Sequence, residues 1–226
     1  MGALSLSNLL AHFSVFLIFV MTLVWTFGYK ELGGLGSKAG KLFNWHPVLM
    51  VLGFVVFMGE AMIAFRSSEL QRNSRKTLHG VLNTLGFISA LCGIIVVFKF
   101  HSDMGFPDFY SAHSYAGILV FVVAGIQQMI GTVFFGLSLV PDSWKRAALP
   151  WHKHLGKWIF VAAIATIATG IMEKQSFIDV PKFEPVKVFA NVWILTLLIG
   201  AFFIMGPMED TGMKESNDAS VPLQSA

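Results

Sequence analysis

Six long apolar segments dominate this 226-residue chain, near residues 9–28, 46–65, 79–99, 113–135, 152–172 and 189–207. A hydrocarbon core of about 30 Å takes roughly 20 apolar residues to cross, so every one of them can span a bilayer. The first, fourth and sixth contain no Asp, Glu, Lys or Arg. A segment surrounded by lipid must satisfy its own backbone hydrogen bonds, which leaves the α-helix as the form these runs take. The expected fold is an all-α membrane protein of six transmembrane helices. Only 13% of residues are charged, against about 25% in soluble domains, which excludes an ordinary soluble enzyme.

The membrane domain is expected over residues 1–207, followed by a polar cytosolic tail, 208–226, whose composition predicts disorder. Residues 1–28 lack a positively charged start, and their apolar run is long for a signal sequence, so they read as a first helix. The single cysteine, Cys92, lies inside the third segment and gives no disulfide framework. The net charge of +3 points to no particular partner, and no nucleic acid is expected.

Orientation follows from the loops. Residues 66–78 carry Arg66, Arg72, Arg75 and Lys76 against Glu69, and residues 136–151 carry Lys145 and Arg146 against Asp142. An excess of Lys and Arg marks the cytosolic side, so both loops, and with them both termini, are placed in the cytosol. Trp25, Trp45, Trp144 and Trp151 fall at the expected interfaces. Helices two to five, joined by short loops, should pack antiparallel as a four-helix core flanked by helices one and six.

Four consecutive segments open on a histidine: His46, His79, His113 and His152. Because spans alternate in direction, His46 and His113 start from the far face, and His79 and His152 from the cytosolic face. One such histidine is readily an interfacial residue. Four in a two-by-two arrangement mark a function, since polar groups at membrane depth are costly. Zinc takes four ligands, often including cysteine or carboxylate, and two histidines per layer are too few. Haem iron takes one axial ligand from each side of its macrocycle. His46 with His113, and His79 with His152, would clamp one haem each. Doubly ligated iron has no open position, so electron transfer rather than oxygen activation is its natural role. Nearby Gly53, Gly80, Gly86, Gly117 and Gly156 would admit a flat macrocycle or close helix packing equally well.

The remaining polar residues carry less. His12, without a matching partner, reads as structural, and His154 as interfacial. His101, beyond the third span on the far side, fits a substrate contact or a surface residue alike. Glu60 lies inside the second span at about the depth of the cytosolic pair. Arg66 would neutralise a haem propionate or serve orientation alone.

The strings "FNWHPVLMVLGFVVFMGEAMIAFR", "RKTLHG", "FKFH…FYSAHSYAG", "LPWHKHLG" and "ATGIMEK" together resemble the eukaryotic cytochrome b561 family, over roughly residues 20–205. The resemblance implies two b haems and an ascorbate-dependent transmembrane reductase. Cytosolic ascorbate would give single electrons to monodehydroascorbate or a ferric chelate across the membrane. It implies a cytosolic donor site at Arg72, Asn73 and Lys76, completed by either Lys145 or Arg146, since "KRAALPWH" is one residue shorter than relatives at this point. A cationic mouth beside a helix N-terminus suits an anionic donor; the positive-inside rule alone would place the same cations. Phe100 and His101 match the far-side substrate site, and Arg66, Tyr110 and Glu173 match positions at the haem edges. A homodimer is implied as well. Two rival readings are a dihaem carrier fed by a quinol or a protein partner, and a non-redox transporter whose histidines line a metal or proton path.

Overall fold

The computed structural model describes residues 6–66 and 70–206, without the side chains of Ala39 and Arg66. The expected tail, 208–226, lies outside the described residues. Six helices are long and apolar enough to cross a membrane: α1 (Leu6–Gly28), α2 (Gly40–Phe65), α3 (Arg72–Met104), α4 (Ala112–Gly136), α5 (Asp142–Ser176) and α6 (Pro185–Ile204). No strand occurs among the described residues.

Hydropathy finds the lipid-facing part of a helix, and α3 and α5 outrun it at their N-terminal ends. They are 33 and 35 residues long, about 50 Å each at 1.5 Å per residue. Their first polar turns therefore stand clear of the hydrocarbon. His79 and His152 lie inside continuous helices rather than at their mouths, and α5 carries Pro150 in its interior. Arg72, Asn73 and Lys76 sit on helical turns in what the sequence reads as a loop.

Local chemistry sets the other boundaries. Gly105, at φ 69°, ends α3 in the left-handed conformation that glycine adopts without a Cβ penalty. α4 opens on a reciprocal cap. Ser114 N donates to Ser111 Oγ at 3.2 Å, and Ser111 N to Ser114 Oγ at 3.1 Å. That cap stands directly before His113. α2 widens into a π-helical stretch over Val51–Phe57, a local form that recurs at functional sites. Within it Gly53 meets α3 backbone to backbone: a Cβ there would lie 2.7 Å from the carbonyl oxygen of Gly86.

The main apolar core is not at the centre of the four-helix bundle. It lies where α1 and α6 pack against each other and against α2 and α5, around Ile18, Trp25, Val55, Phe160, Trp193 and Leu197. A smaller cluster of Phe54, Ala90, Val120, Ala124, Ile159 and Ala163 joins α2, α3, α4 and α5. It fills the middle of the bundle, with one histidine layer above it and one below. On the flank, His12 of α1 meets Glu60 of α2, Nδ1 to Oε2 at 2.8 Å, which supplies the polar partner that the sequence leaves open for both.

Candidate functional site

The antiparallel bundle brings the four histidines together in two pairs. His46 of α2 faces His113 of α4, with ring centroids 6.2 Å apart and ring planes at 86°. His79 of α3 faces His152 of α5 at 6.3 Å and 70°. An imidazole nitrogen sits about 2.0–2.1 Å from a ligated metal. With ring bonds of about 1.33 Å, two imidazoles on opposite sides of one metal have centroids roughly 6.3 Å apart. Both pairs match that spacing.

Backbone carbonyls fix three of the rings. His46 Nδ1–H donates to Gly93 O at 3.0 Å, His79 Nδ1–H to Ala61 O at 2.9 Å, and His113 Nδ1–H to Thr166 O at 2.9 Å. A carbonyl only accepts, so the proton is on Nδ1 and the Nε2 lone pair is left for a metal, the usual outer arrangement of a ligating histidine. His152 departs from the pattern: its Nδ1 is buried with no partner among the described residues. Its backbone carbonyl accepts instead from Gln127 Nε2 at 2.7 Å.

Glycines make room for two of the rings. A Cβ on Gly170 would come within 2.6 Å of His113 Cε1, and one on Gly131 within 3.1 Å of His152 Cε1. These two glycines stand at the histidine rings themselves. Gly53 and Gly86 serve the contact of α2 with α3, and Gly80 has nothing within 4 Å of its would-be Cβ. Gly117 and Gly156 make ordinary contacts with Thr166 and Gln127.

His46 and His113 open onto a cavity of about 510 Å³, the size of a site for a small cofactor. Its inner walls are apolar, with Met50, Phe54, Val120 and Ile167 among them. Its outer end is polar and gathers the residues singled out in sequence. His101 Nδ1 lies 2.9 Å from Asp108 Oδ1, and Phe100 packs edge-on against Phe43 at 5.2 Å. Glu173 Oε2 accepts from Ser111 Oγ at 2.8 Å, which ties the end of α5 to the capped start of α4. Burial, and then the hydrogen bond to Glu173, push the Tyr110 phenol up to about 12.

The other end of the bundle carries exposed cations. Arg72, Asn73 and Lys76 are exposed on the first turns of α3, and Arg146 is exposed on α5. Lys145 is held by Asp142, Nζ to Oδ1 at 2.9 Å. Half-buried Arg75 ties α3 to the end of α2, Nη1 to Phe65 O at 3.3 Å. Phe65 in turn covers the His79 ring edge-on at 4.8 Å. The Arg66 side chain lies outside the described residues.

Among the described residues, no group of three or more His, Cys, Asp or Glu converges as a metal site. Each layer offers two imidazoles and nothing more, the donor set of an axially ligated macrocycle rather than of a tetrahedral ion. A haem fits both layers on ring spacing, and three of the four rings have the tautomer that leaves Nε2 to a metal. Asp108, Lys174, Gly131 and Gly170 escaped the sequence reading. Each acquires its position from a helix or loop distant in the chain, and no local pattern marks it.

Comparison with known proteins agrees with this geometry. Residues 45–178 match the family model for eukaryotic cytochrome b561. The chain is 33% identical to transmembrane ascorbate ferrireductase 2 of Arabidopsis thaliana, over 88% of this chain and 90% of that protein. It is 33% identical to the plasma membrane ascorbate-dependent reductase CYBRD1 of Rattus norvegicus, over 92% and 76%. It is 36% identical to the transmembrane ascorbate-dependent reductase CYB561 of Ovis aries, over 82% and 73%. With the family model covering more than half of its length, including all four paired histidines, this chain is a member of the eukaryotic cytochrome b561 family.

Proposed function

We propose that the protein carries single electrons across a membrane, from ascorbate in the cytosol, through two b-type haems, to monodehydroascorbate or a ferric chelate on the far side. The observation that carries this reading is the pair of histidine layers, each with the ring spacing of a doubly ligated metal. His46 and His113 hold the far-side haem, and His79 and His152 the cytosolic one. A haem ligated by two histidines supplies reversible one-electron storage without an open coordination position. The names of the relatives, ascorbate-dependent reductases and a ferrireductase, support the donor and one class of acceptor.

The protein's own residues bind, orient and insulate. Arg72, Asn73 and Lys76 stand at the start of α3, and Arg146 and Lys145 at the start of α5, the two helices that carry the cytosolic histidines. Their charge raises the local concentration of an anionic donor. With Lys145 engaged by Asp142, Arg146 is the better placed of the two. The central apolar cluster keeps water from between the layers. On the far side, Asp108 occupies Nδ1 of His101, which leaves Nε2 to meet an acceptor beside Phe100. Tyr110 and Glu173 close the cavity at its polar end, and Arg66, which matches a family position, would neutralise a propionate of the cytosolic haem. In this reading both termini are cytosolic and the protein is a homodimer.

The test is spectroscopic. The purified protein should show a reduced b-type alpha band with two haems per chain, and His46→Ala and His79→Ala should each remove one. Ascorbate should reduce the wild-type protein in the absence of quinol. A folded, colourless preparation would overturn the assignment.

A further inference from the structure

Lys174 is the one Lys or Arg among the residues lining the His46–His113 cavity. It stands in the last turn of α5, where a lysine ordinarily points into water and favours the negative end of the helix. Here it is half-buried and turned inward, with Nζ 4.5 Å from the centroid of the Phe43 ring. The two carboxylates lining the cavity are engaged elsewhere: Asp108 by His101, and Glu173 by Ser111. No carboxylate among the described residues lies within 4.0 Å of the Lys174 ammonium. Sequestering a cation beside apolar walls is costly unless an anion meets it.

A second observation points the same way. Trp25 and Trp193, with ring centroids 5.3 Å apart, line the same cavity. Both indole nitrogens are buried, and neither has an acceptor among the described residues. Buried donors are normally satisfied. One ammonium and two N–H groups around one cavity, with its carboxylates already occupied, call for an occupant that brings its own oxygen acceptors.

Accepting the dihaem reading above, on which this step rests, we propose that Lys174 binds a propionate carboxylate of the far-side haem. The apolar edge of the macrocycle then lies against the inner wall, and its carboxylate edge faces the polar end, where Lys174 holds it. Lys174 is a positioning and charge-compensating residue; it does not ligate iron.

The test is a spectroelectrochemical titration of the holoprotein with Lys174→Met and Lys174→Arg. Methionine keeps the apolar stem over Phe43 and removes the charge. An uncompensated propionate stabilises the ferric state, so the far-side haem should become harder to reduce. The expected fall in its reduction equilibrium constant is about tenfold, or about 59 mV for a one-electron couple. The cytosolic haem should not move, and Lys174→Arg should restore the wild-type value. His46→Ala identifies which transition belongs to the far side. Unchanged potentials in Lys174→Met would overturn the assignment, and so would equal shifts in the Met and Arg variants, which would mark a packing effect. A higher KM for an anionic acceptor at unchanged potential would give Lys174 to the acceptor instead. A wild-type holoprotein that holds fewer than two haems per chain would overturn the dihaem reading itself.

Discussion

The most exacting prediction concerns a single methyl group. Gly170 stands on α5 against the face of His113, and an ideal Cβ there would lie 2.6 Å from Cε1, 3.0 Å from Nδ1 and 3.1 Å from Nε2. Carbon atoms in ordinary contact are about 3.5 Å apart, so Gly170→Ala requires a movement of roughly 0.9 Å. The ring has little freedom to supply it. Its Nδ1–H is bonded to Thr166 O at 2.9 Å, one helical turn before Gly170, and its other side faces His46. Overpacking of this kind costs about 1–3 kcal/mol, and losing the outer hydrogen bond of a ligating histidine typically costs 10–100-fold in metal affinity. On the proposed dihaem reading, the haem held by His46 and His113 should therefore be depleted while the one held by His79 and His152 stays. Gly40→Ala is the control, because nothing lies within 4 Å of its would-be Cβ and it does not line the His46–His113 cavity. Haem-to-protein ratio from the pyridine haemochrome, with helix content from circular dichroism, reads the outcome. If Gly170→Ala retained both haems at wild-type potentials, His113 would not be held as described and the ligand assignment at that layer would fail.

Gly131→Ala should be milder, since the approach to His152 is 3.1 Å and that ring has no carbonyl holding its Nδ1. The cytosolic haem should be retained with a shifted alpha band, and its complete loss would contradict this. Lys76→Ala and Arg72→Ala should slow reduction by ascorbate and flatten its dependence on ionic strength, as stopped-flow mixing would show. An unchanged rate would move the donor site elsewhere. Glu60→Gln should cost about 0.6–1.7 kcal/mol, the range for polar contacts between membrane helices, seen as a lower Tm in detergent with haem content unaltered. Tyr110 has its pKa raised from 10.0 to about 12 by burial and by Glu173. Its contribution to stability is complete below pH 10 and is lost as pH rises towards 12. The difference in absorbance titration at 295 nm between wild type and Tyr110→Phe should therefore show one phenol ionising well above pH 10; ionisation near 10 would refute its bond to Glu173.

How far the sequence reaches can be judged residue by residue. The six spans were legible because membrane insertion is decided by local composition over a stretch set by bilayer thickness. The two histidine layers were legible because antiparallel spans turn sequence order into depth: residues that open alternate spans must lie on the same face. Helix ends were less legible. The polar turns 72–78 of α3 and 142–151 of α5 are helical, and hydropathy does not register helix that stands in water.

The sequence by itself determined that this chain is a six-helix membrane protein with paired histidines at two depths, since lipid permits few forms and the alternation of spans leaves one pairing by level. Only the tertiary structure decided what holds and surrounds those histidines. Gly93, Ala61 and Thr166 carbonyls orient three rings from other helices. Gly170 clears the face of His113, and Gly131 the Cε1 edge of His152. Asp108 takes one nitrogen of His101, and Lys174 turns inward over Phe43. The main core lies beside the four-helix bundle rather than within it. Each of these depends on the rotation and height of one helix against another. That is fixed by side-chain packing across the bundle, with contacts such as Gly53 on Gly86, and spacing along the chain carries no record of it.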